Sequence, residues 1–261
     1  MREDDLLLAG LEDKIDQCER YGMLTHSAFL DIRQSALARV FCAKRRGLQA
    51  CFYGGYEEAE RVIAVFFPDY LSLPARADQL TWLAQNEEEN PLAILRVQKD
   101  PFHTLTHRDY LGALMGLGVK RETIGDLLVQ EDGCDILLLK SVATYLRENL
   151  TQAGRARLDG TFVPVGELRR AKESRVQIPC VVPSLRLDAL VCAAFSVSRS
   201  EAAEAIRKGL IFLNALPCEK AAALVKEGDH IVFRSKGKAR LAEIGGISKK
   251  GRLHITIEKY C

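Results

Sequence analysis

The chain has 261 residues, 48% hydrophobic and 28% charged, with 37 Lys+Arg against 35 Asp+Glu. This composition fits two or three folded globular domains and excludes a disordered or collagen-like protein. It contains no run of about twenty apolar residues to span a membrane, and the acidic start MREDDLLLAG has too short an apolar run for a secretory signal.

The eight cysteines are scattered singly, without a C-x-x-C pair, which argues against a zinc site or a disulfide framework. Free thiols suit a reducing compartment, so the expected location is the cytoplasm. Charge is uneven: from Val182 onward there are 14 Lys+Arg and 8 Asp+Glu, and before it 23 and 27. A basic C-terminal part on a slightly acidic body is the footprint expected of a module that meets nucleic acid.

Residues 1–46 read as mostly helical. Leu7, Leu11, Ile15 and Cys18 mark one helix face, and Gly22 ends it. Asp31 to Gln34 resembles a capping box that opens a second helix. Lys44-Arg45-Arg46 closes that helix, where cations suit the dipole. Leu48–Tyr53 and Ile63–Phe67 are strands. Between them, Gly54-Gly55 reads as a tight turn before a short helix at Glu57–Arg61, since no Lys-Ser/Thr follows to make a P-loop. Ser72–Glu89 is polar, with a short helix around Asp78–Gln85 and a soft domain boundary.

Residues 92–159 follow a strand-helix-strand-strand-helix-strand order. The elements are Leu92–Gln98, His107–Leu117, Asp126–Gln130, Cys134–Leu139, Val142–Leu150 and Arg155–Asp159, with Thr106 and Asp109 capping the first helix. This order is the ferredoxin-like layout of RNA-recognition-motif domains. The two central strands are aliphatic, so base stacking on this sheet does not follow. His103 and His107 are four apart, but the cap at Thr106 puts His103 outside the helix and denies the pair a shared face. Gly112, Gly116 and Gly118 lie within and after a helix, which points to helix packing or a helix end rather than dinucleotide binding. His107 and Arg108, in the first helical turn, are secondary candidates for holding a phosphate.

Ser184 to Arg240 is the most informative stretch. Leu187, Leu190, Val191 and Ala194 form one face of a helix. Ser198 to Glu201 reads as a capping box opening a second helix, whose buried face is Ala202, Ala205 and Ile206 and which ends at Lys208-Gly209. Leu210–Leu213 is a strand, and Gly228-Asp229 turns the chain into a second strand at His230–Arg234. Arg186 and Arg199 open the two helices, where amides and dipole favour anions. Arg207 and Lys208 close the second helix, and Lys236, Lys238 and Arg240 follow the last strand. The candidate RNA contacts are Arg186, Ser198, Arg199, Arg207, Lys208, Asn214, Lys236 and Lys238, with Asp188 expected to orient Arg186. Ala239–Ile244 and Leu253–Glu258 form a final hairpin, with Lys249, Lys250 and Arg252 near its tip as secondary candidates.

The series RLDxxL, SRSxA, basic helix end with Gly, strand, Asn, and GD before a strand resembles the RNA-binding domain of ribosomal protein S-four. Asn214-Ala215 departs from the glycine or bulky residue usual after that asparagine. With LTHRDYLGALMGLGVKRETIGDLLVQ, FYGGYEEAER and FPDY, the chain as a whole resembles the YlmH family. That resemblance implies an α+β protein with an N-terminal mixed domain (1–80), a central RNA-recognition-motif-like domain (81–180) and a C-terminal S-four-type domain (181–261). It further implies a noncatalytic protein, without cofactor or metal, that engages ribosomal RNA on the large ribosomal subunit and rescues stalled subunits carrying peptidyl-tRNA. Some relatives are linked to cell division. One competing reading is a pseudouridine synthase, for which Arg157-Leu158-Asp159-Gly160-Thr161 offers a superficial RLD motif. Another is a cell-division adaptor that binds without RNA.

Overall fold

The computed structural model describes residues 3–57, 59–169, 175–214, 216–234, 236–248 and 251–260. The chain divides into two compact units, Met1–Ala171 and Lys172–Cys261.

In the first unit, α1 (Glu3–Tyr21) buries Leu11, Ile15 and Cys18 on one face, as their spacing predicts. After β1 (Thr25–His26) comes α2 (Ile32–Ala43), with the expected capping box: Asp31 Oδ1 accepts from Gln34 N at 2.7 Å, and Gln34 Oε1 accepts from Asp31 N at 3.0 Å. The basic end of α2 is structural in part, since Arg45 pairs with Glu12 and lies over Phe41. β2 (Ala50–Tyr53) and β3 (Ile63–Phe66) complete a sheet of order β1-β3-β2.

Every side chain of β3 is buried, because both faces of this small sheet are covered. Phe52, Ala64 and Phe66 meet the helices, and Cys51, Tyr53, Ile63 and Val65 face the next layer. The Gly54-Gly55 turn forms as expected. Gly55 has φ +84°, and a Cβ on it would come within 2.3 Å of Leu137. Of the short helix expected at Glu57–Arg61, none of the described residues is helical. Asp126, whose carboxyl is raised by burial, accepts from Tyr56 Oη and from the backbone N–H groups of Glu60 and Arg61, so those amides serve a loop instead.

The next elements are α3 (Arg76–Gln85), β4 (Leu92–Lys99), α4 (His107–Gly116), β5 (Ile124–Val129), β6 (Gly133–Leu139), α5 (Lys140–Asn149), β7 (Gln152–Ala153) and β8 (Ala156–Val163). Their sheet has the order β5-β6-β4-β8-β7 with antiparallel neighbours, the ferredoxin-like layout. Leu95, Val97, Cys134, Ile136 and Leu138 pack against Tyr110 and Leu114 of α4 and Ala143 and Leu146 of α5. The alternate residues Leu92, Ile94, Leu137 and Leu139 pack against β2 and β3. Period-two alternation therefore gives this sheet two apolar faces, and the face free of its own helices is covered by the chain's first eighty residues.

The same face holds a buried ionic cluster. Asp135 is fully buried and accepts from Arg96 Nε and Nη2, both at 2.8 Å, and from Arg169 N, Nε and Nη2 at 2.9–3.1 Å. Gly133 pairs with Gln98 across β4, and a Cβ at Gly133 would sit 1.9 Å from the Val97 carbonyl oxygen. Gly133→Ala must push the two strands apart. Overpacking of this kind costs about 1–3 kcal/mol, to be read as a lower urea midpoint.

α4 is capped as predicted: Thr106 N and Oγ1 donate to Asp109 at 2.8 and 2.7 Å. His103 lies before the helix, its Nδ1 2.7 Å from Asp100. Of the glycines there, Gly112 and Gly116 have open space around them, so close packing does not explain them, and Gly118 with φ +77° follows the helix end.

The second unit begins with β9 (Arg175–Val182), absent from the sequence expectations although Ile178, Cys180 and Val182 alternate in it. Then come α6 (Leu187–Phe195), α7 (Arg199–Arg207), β10 (Ile211–Leu213), β11 (Leu216–Pro217), β12 (His230–Phe233), β13 (Gly237–Ile247) and β14 (Leu253–Tyr260). The sheet order is β11-β10-β12-β13-β14-β9. Leu187, Leu190, Val191 and Ala194 of α6 and Ala202, Ala205 and Ile206 of α7 pack with Ile211, Ile231, Phe233, Leu241, Ile255 and Ile257 of the sheet. β13 starts at Gly237, before the expected Ala239, and runs past Ile244, so Lys238 joins Arg240 in the strand.

Candidate RNA-binding surface

α7 is the axis of the surface. Ser198 Oγ accepts from Glu201 N at 3.2 Å, which is half of the expected capping box. The other half is missing because the Glu201 carboxylate pairs with Lys236 Nζ at 3.2 Å instead. At the far end, Gly209 (φ +66°) lets Leu210 N reach back to Ala205 O at 3.0 Å, the expected glycine stop. Arg207 and Lys208 therefore stand exposed in the last turn.

The turn after β12 runs along this helix. Arg234 N donates to Leu210 O at 3.0 Å beside the C-terminal end of α7, and Lys236 reaches Glu201 in its first turn. Lys238 follows in β13, its ammonium 5.0 Å from the Tyr260 ring. Arg240 is half-buried, 3.9 Å from Glu258. Lys236 thus lies beside α7, whereas Lys238 and Arg240 alternate with the core residues Ala239 and Leu241 and face the other side of the sheet.

Arg186 sits at the start of α6, where its Nε and Nη2 donate to the two Asp188 oxygens at 3.1 and 2.9 Å. Asp188 orients Arg186 as expected. The Arg186 hydrogen bond holds the Asp188 carboxyl below its usual range against the opposing effect of burial, and the Arg199 charge adds to the lowering. The remaining Nη1 edge of Arg186 is free to meet an anion. The amides of α6 are not free. Leu187 N and Asp188 N donate to Ala223 O and Ala221 O, and Ala189 N to Asp188 Oδ1. The expectation that this helix start offers amides to a phosphate is corrected accordingly, because a loop of the same unit already fills it.

Arg199 and Arg207 are exposed and carry no ion pair among the described residues, whereas Lys208 is bridged to Glu204 at 2.7 Å. Asn214 (φ +48°) donates to Asp229 Oδ1 at 2.8 Å and accepts from His230 N at 2.9 Å. It ties the β10 end to the start of β12, which explains how the turn forms with an asparagine there. Arg234, exposed and 5.5 Å over the Phe212 ring, and Lys259, 5.8 Å over Phe195, belong to the same surface and were absent from the sequence candidates. Lys249 and Lys250 lie outside the described residues, and Arg252 is exposed beside them. His107 and Arg108 are exposed in the first turn of α4.

Two other features bear on chemistry. A groove of about 1080 Å³ in the first unit is lined by Tyr53, Leu83, Ile94, Phe162, Val163 and Lys140, and none of the candidate residues line it. Asp159 of the RLD-like stretch stands exposed on β8 outside that groove. No helix among the described residues is long and apolar enough to cross a membrane.

Residues 86–165 match the model of a putative RNA-binding domain in YlmH, and residues 185–231 match the S4 domain. The chain is 32% identical over 241 residues to ribosome-associated protein quality control protein P2 of Bacillus subtilis (strain 168), covering 88% of this chain and 85% of that protein. It is also similar to a solved structure, cell division protein ylmH from Streptococcus pneumoniae, with 23% identity, a TM-score of 0.48, and coverage of 64% of this chain and 94% of that one. With two matched domains in order and that identity along most of its length, the chain belongs to the YlmH family.

Proposed function

We propose that this protein is a noncatalytic, cytoplasmic RNA-binding factor. It docks on ribosomal RNA of the large ribosomal subunit through its S4 unit and acts in the rescue of stalled subunits that still carry peptidyl-tRNA. The observation that carries the RNA-binding part is the rim around α7, where Arg199, Arg207 and Arg234 project guanidinium groups with no internal ion pair among the described residues. Such forks suit phosphate oxygens, and a row of them suits a backbone. Arg186, Ser198, Lys208 and Lys236 extend the rim, Lys238 adds a cation on the outer face of the sheet, and Asn214 ties the β10–β12 turn beside it. The ribosomal part rests on the Bacillus subtilis relative, whose name states ribosome-associated quality control.

Two other readings have less behind them. An RNA-modifying enzyme would need its aspartate in a cleft, and Asp159 is on an open strand. A division adaptor would bind its partner after RNase treatment. Sucrose-gradient sedimentation of a lysate, followed by a blot, tests the proposal. The protein is expected with free large subunits, and its peak is expected to move to the top of the gradient after RNase treatment. A protein that stays at the top throughout contradicts it.

A further inference from the structure

We infer that the loop joining β4 to α4 and the β7–β8 turn beside it form a second RNA contact, in which Phe102 stacks on an unpaired base and Arg108, Arg155 and Arg157 hold the flanking phosphates. The inference rests on the RNA-binding reading above and locates where the central domain would act.

Phe102 is 88% exposed, the most exposed large hydrophobic residue among those described. Its place is fixed rather than loose. Asp100 Oδ1 accepts from Phe102 N at 3.0 Å and lies 2.7 Å from His103 Nδ1, and Asp100 Oδ2 accepts from Arg157 N at 2.9 Å. Asp100 N in turn donates to Arg157 O at 3.2 Å, so the loop and β8 are laced together. A Cβ on Gly154 of the β7–β8 turn would lie 3.8 Å from Leu105 of the same loop, so the turn and Arg155 border this edge.

The charges sort in a telling way. The nearest carboxylates are spent internally, Asp100 on this lacing and Asp109 on the Thr106 cap. Arg108, Arg155 and Arg157 are exposed without an ion pair among the described residues, and His107 is exposed beside Arg108. Asp159, two residues past Arg157, is the exposed acidic group that trims this field. An exposed aromatic ring on a loop laced to the arginine-bearing strand β8 matches how proteins bind single-stranded RNA: bases stack on the ring and cations track the backbone. A protein partner would more commonly be met by several adjoining apolar side chains, and Phe102 stands among polar ones. The site also accounts for how a ferredoxin-like domain meets RNA when its open sheet face is covered by β2 and β3.

The test uses the full chain with Phe102→Trp, Phe102→Ala and the pair Arg155→Ala/Arg157→Ala. A twelve-nucleotide oligoadenylate should quench the new indole of Phe102→Trp. Phe102→Ala should weaken binding of that oligonucleotide about 5- to 150-fold, the range for one lost base stack. The arginine pair should lower the salt slope by roughly 1.4, from about 0.7 per phosphate on a single strand. Thermal midpoints should not move, since the ring is exposed. Unchanged oligoadenylate affinity in Phe102→Ala overturns the inference, as does quenching by a protein partner or lipid vesicle without quenching by RNA. Failure of the wild type to sediment with large subunits, with quenching intact, would strike the ribosomal proposal and leave this site standing.

Discussion

Asp135→Ala lowers the stability of the first unit by about 3–5 kcal/mol, the cost of removing one partner from a buried charge cluster. Arg96 and Arg169 both converge on this fully buried carboxylate, so its loss strips Arg96 of its ion partner and leaves Arg169 only its bridge to Asp132 among the described residues. For a unit of this size the thermal midpoint should fall by roughly 10 °C, measurable by calorimetry. Asp135→Asn should also destabilise, since it keeps the shape and loses the charge.

Acid makes the same substitution reversibly. Burial opposes ionisation of Asp135, but its bonds to Arg96 and Arg169 outweigh this and hold its carboxyl low. Asp188 is held low chiefly by Arg186. A depressed carboxyl contributes stability that is fully present above the unfolded value, near pH 4, and is lost as pH falls through the folded value. Both units should therefore lose stability below about pH 4 and be insensitive to the titration of these two groups at neutral pH.

The second large effect is on binding. Arg199→Ala/Arg207→Ala should reduce the salt slope of binding to structured ribosomal RNA by roughly 2, about one per phosphate contact. The affinity loss should be uniform across RNA sequences, because backbone contacts position without specifying. These two residues are the right ones to remove because neither has an ion pair among the described residues. Arg186 is a poor choice for this purpose: its removal leaves the nearly buried Asp188 without its fork, so a loss of binding would mix with a loss of fold. A slope unchanged in the double variant would remove the rim of α7 from the interface.

Much of the second unit was legible because its rules are local. The Ser198 cap, the Gly209 stop and the periodic apolar residues of α6 and α7 each act within a few residues. The same holds for the Asp31 and Thr106 caps and for the ferredoxin-like order of strands and helices. Interactions distant in sequence were not legible. Glu201 was assigned to its own cap by spacing, yet Lys236, thirty-five residues on, took it. The Glu57–Arg61 segment has a plausible helical composition, but Asp126 claims its amides from the facing layer. β9 alternates Ile178, Cys180 and Val182 inward with Gln177, Pro179 and Val181 outward, but Pro179 interrupts the pattern, and the strand forms on the edge that β14 offers.

The candidate site followed the same division. The identity of the basic residues was readable from charge alone, but their usefulness depends on which are already paired. Lys208 and Lys236 have carboxylate partners, and Asn214 is occupied in a turn. Arg199 and Arg207 remain open, and Arg234 joins them only because Leu210 anchors its backbone beside α7. On the first unit, Phe102 attracted no notice in sequence, since a single phenylalanine in a loop is ordinary until its exposure and its arginine neighbours are known.

The most direct test of the central claim is ultraviolet crosslinking of the full chain to large ribosomal subunits, with the crosslinked peptides and nucleotides identified by mass spectrometry and sequencing. The account predicts adducts to ribosomal RNA in peptides spanning 186–208 and 234–240. Adducts to ribosomal RNA confined to other parts of the chain, or none at all from a protein that sediments with the subunit, would contradict it.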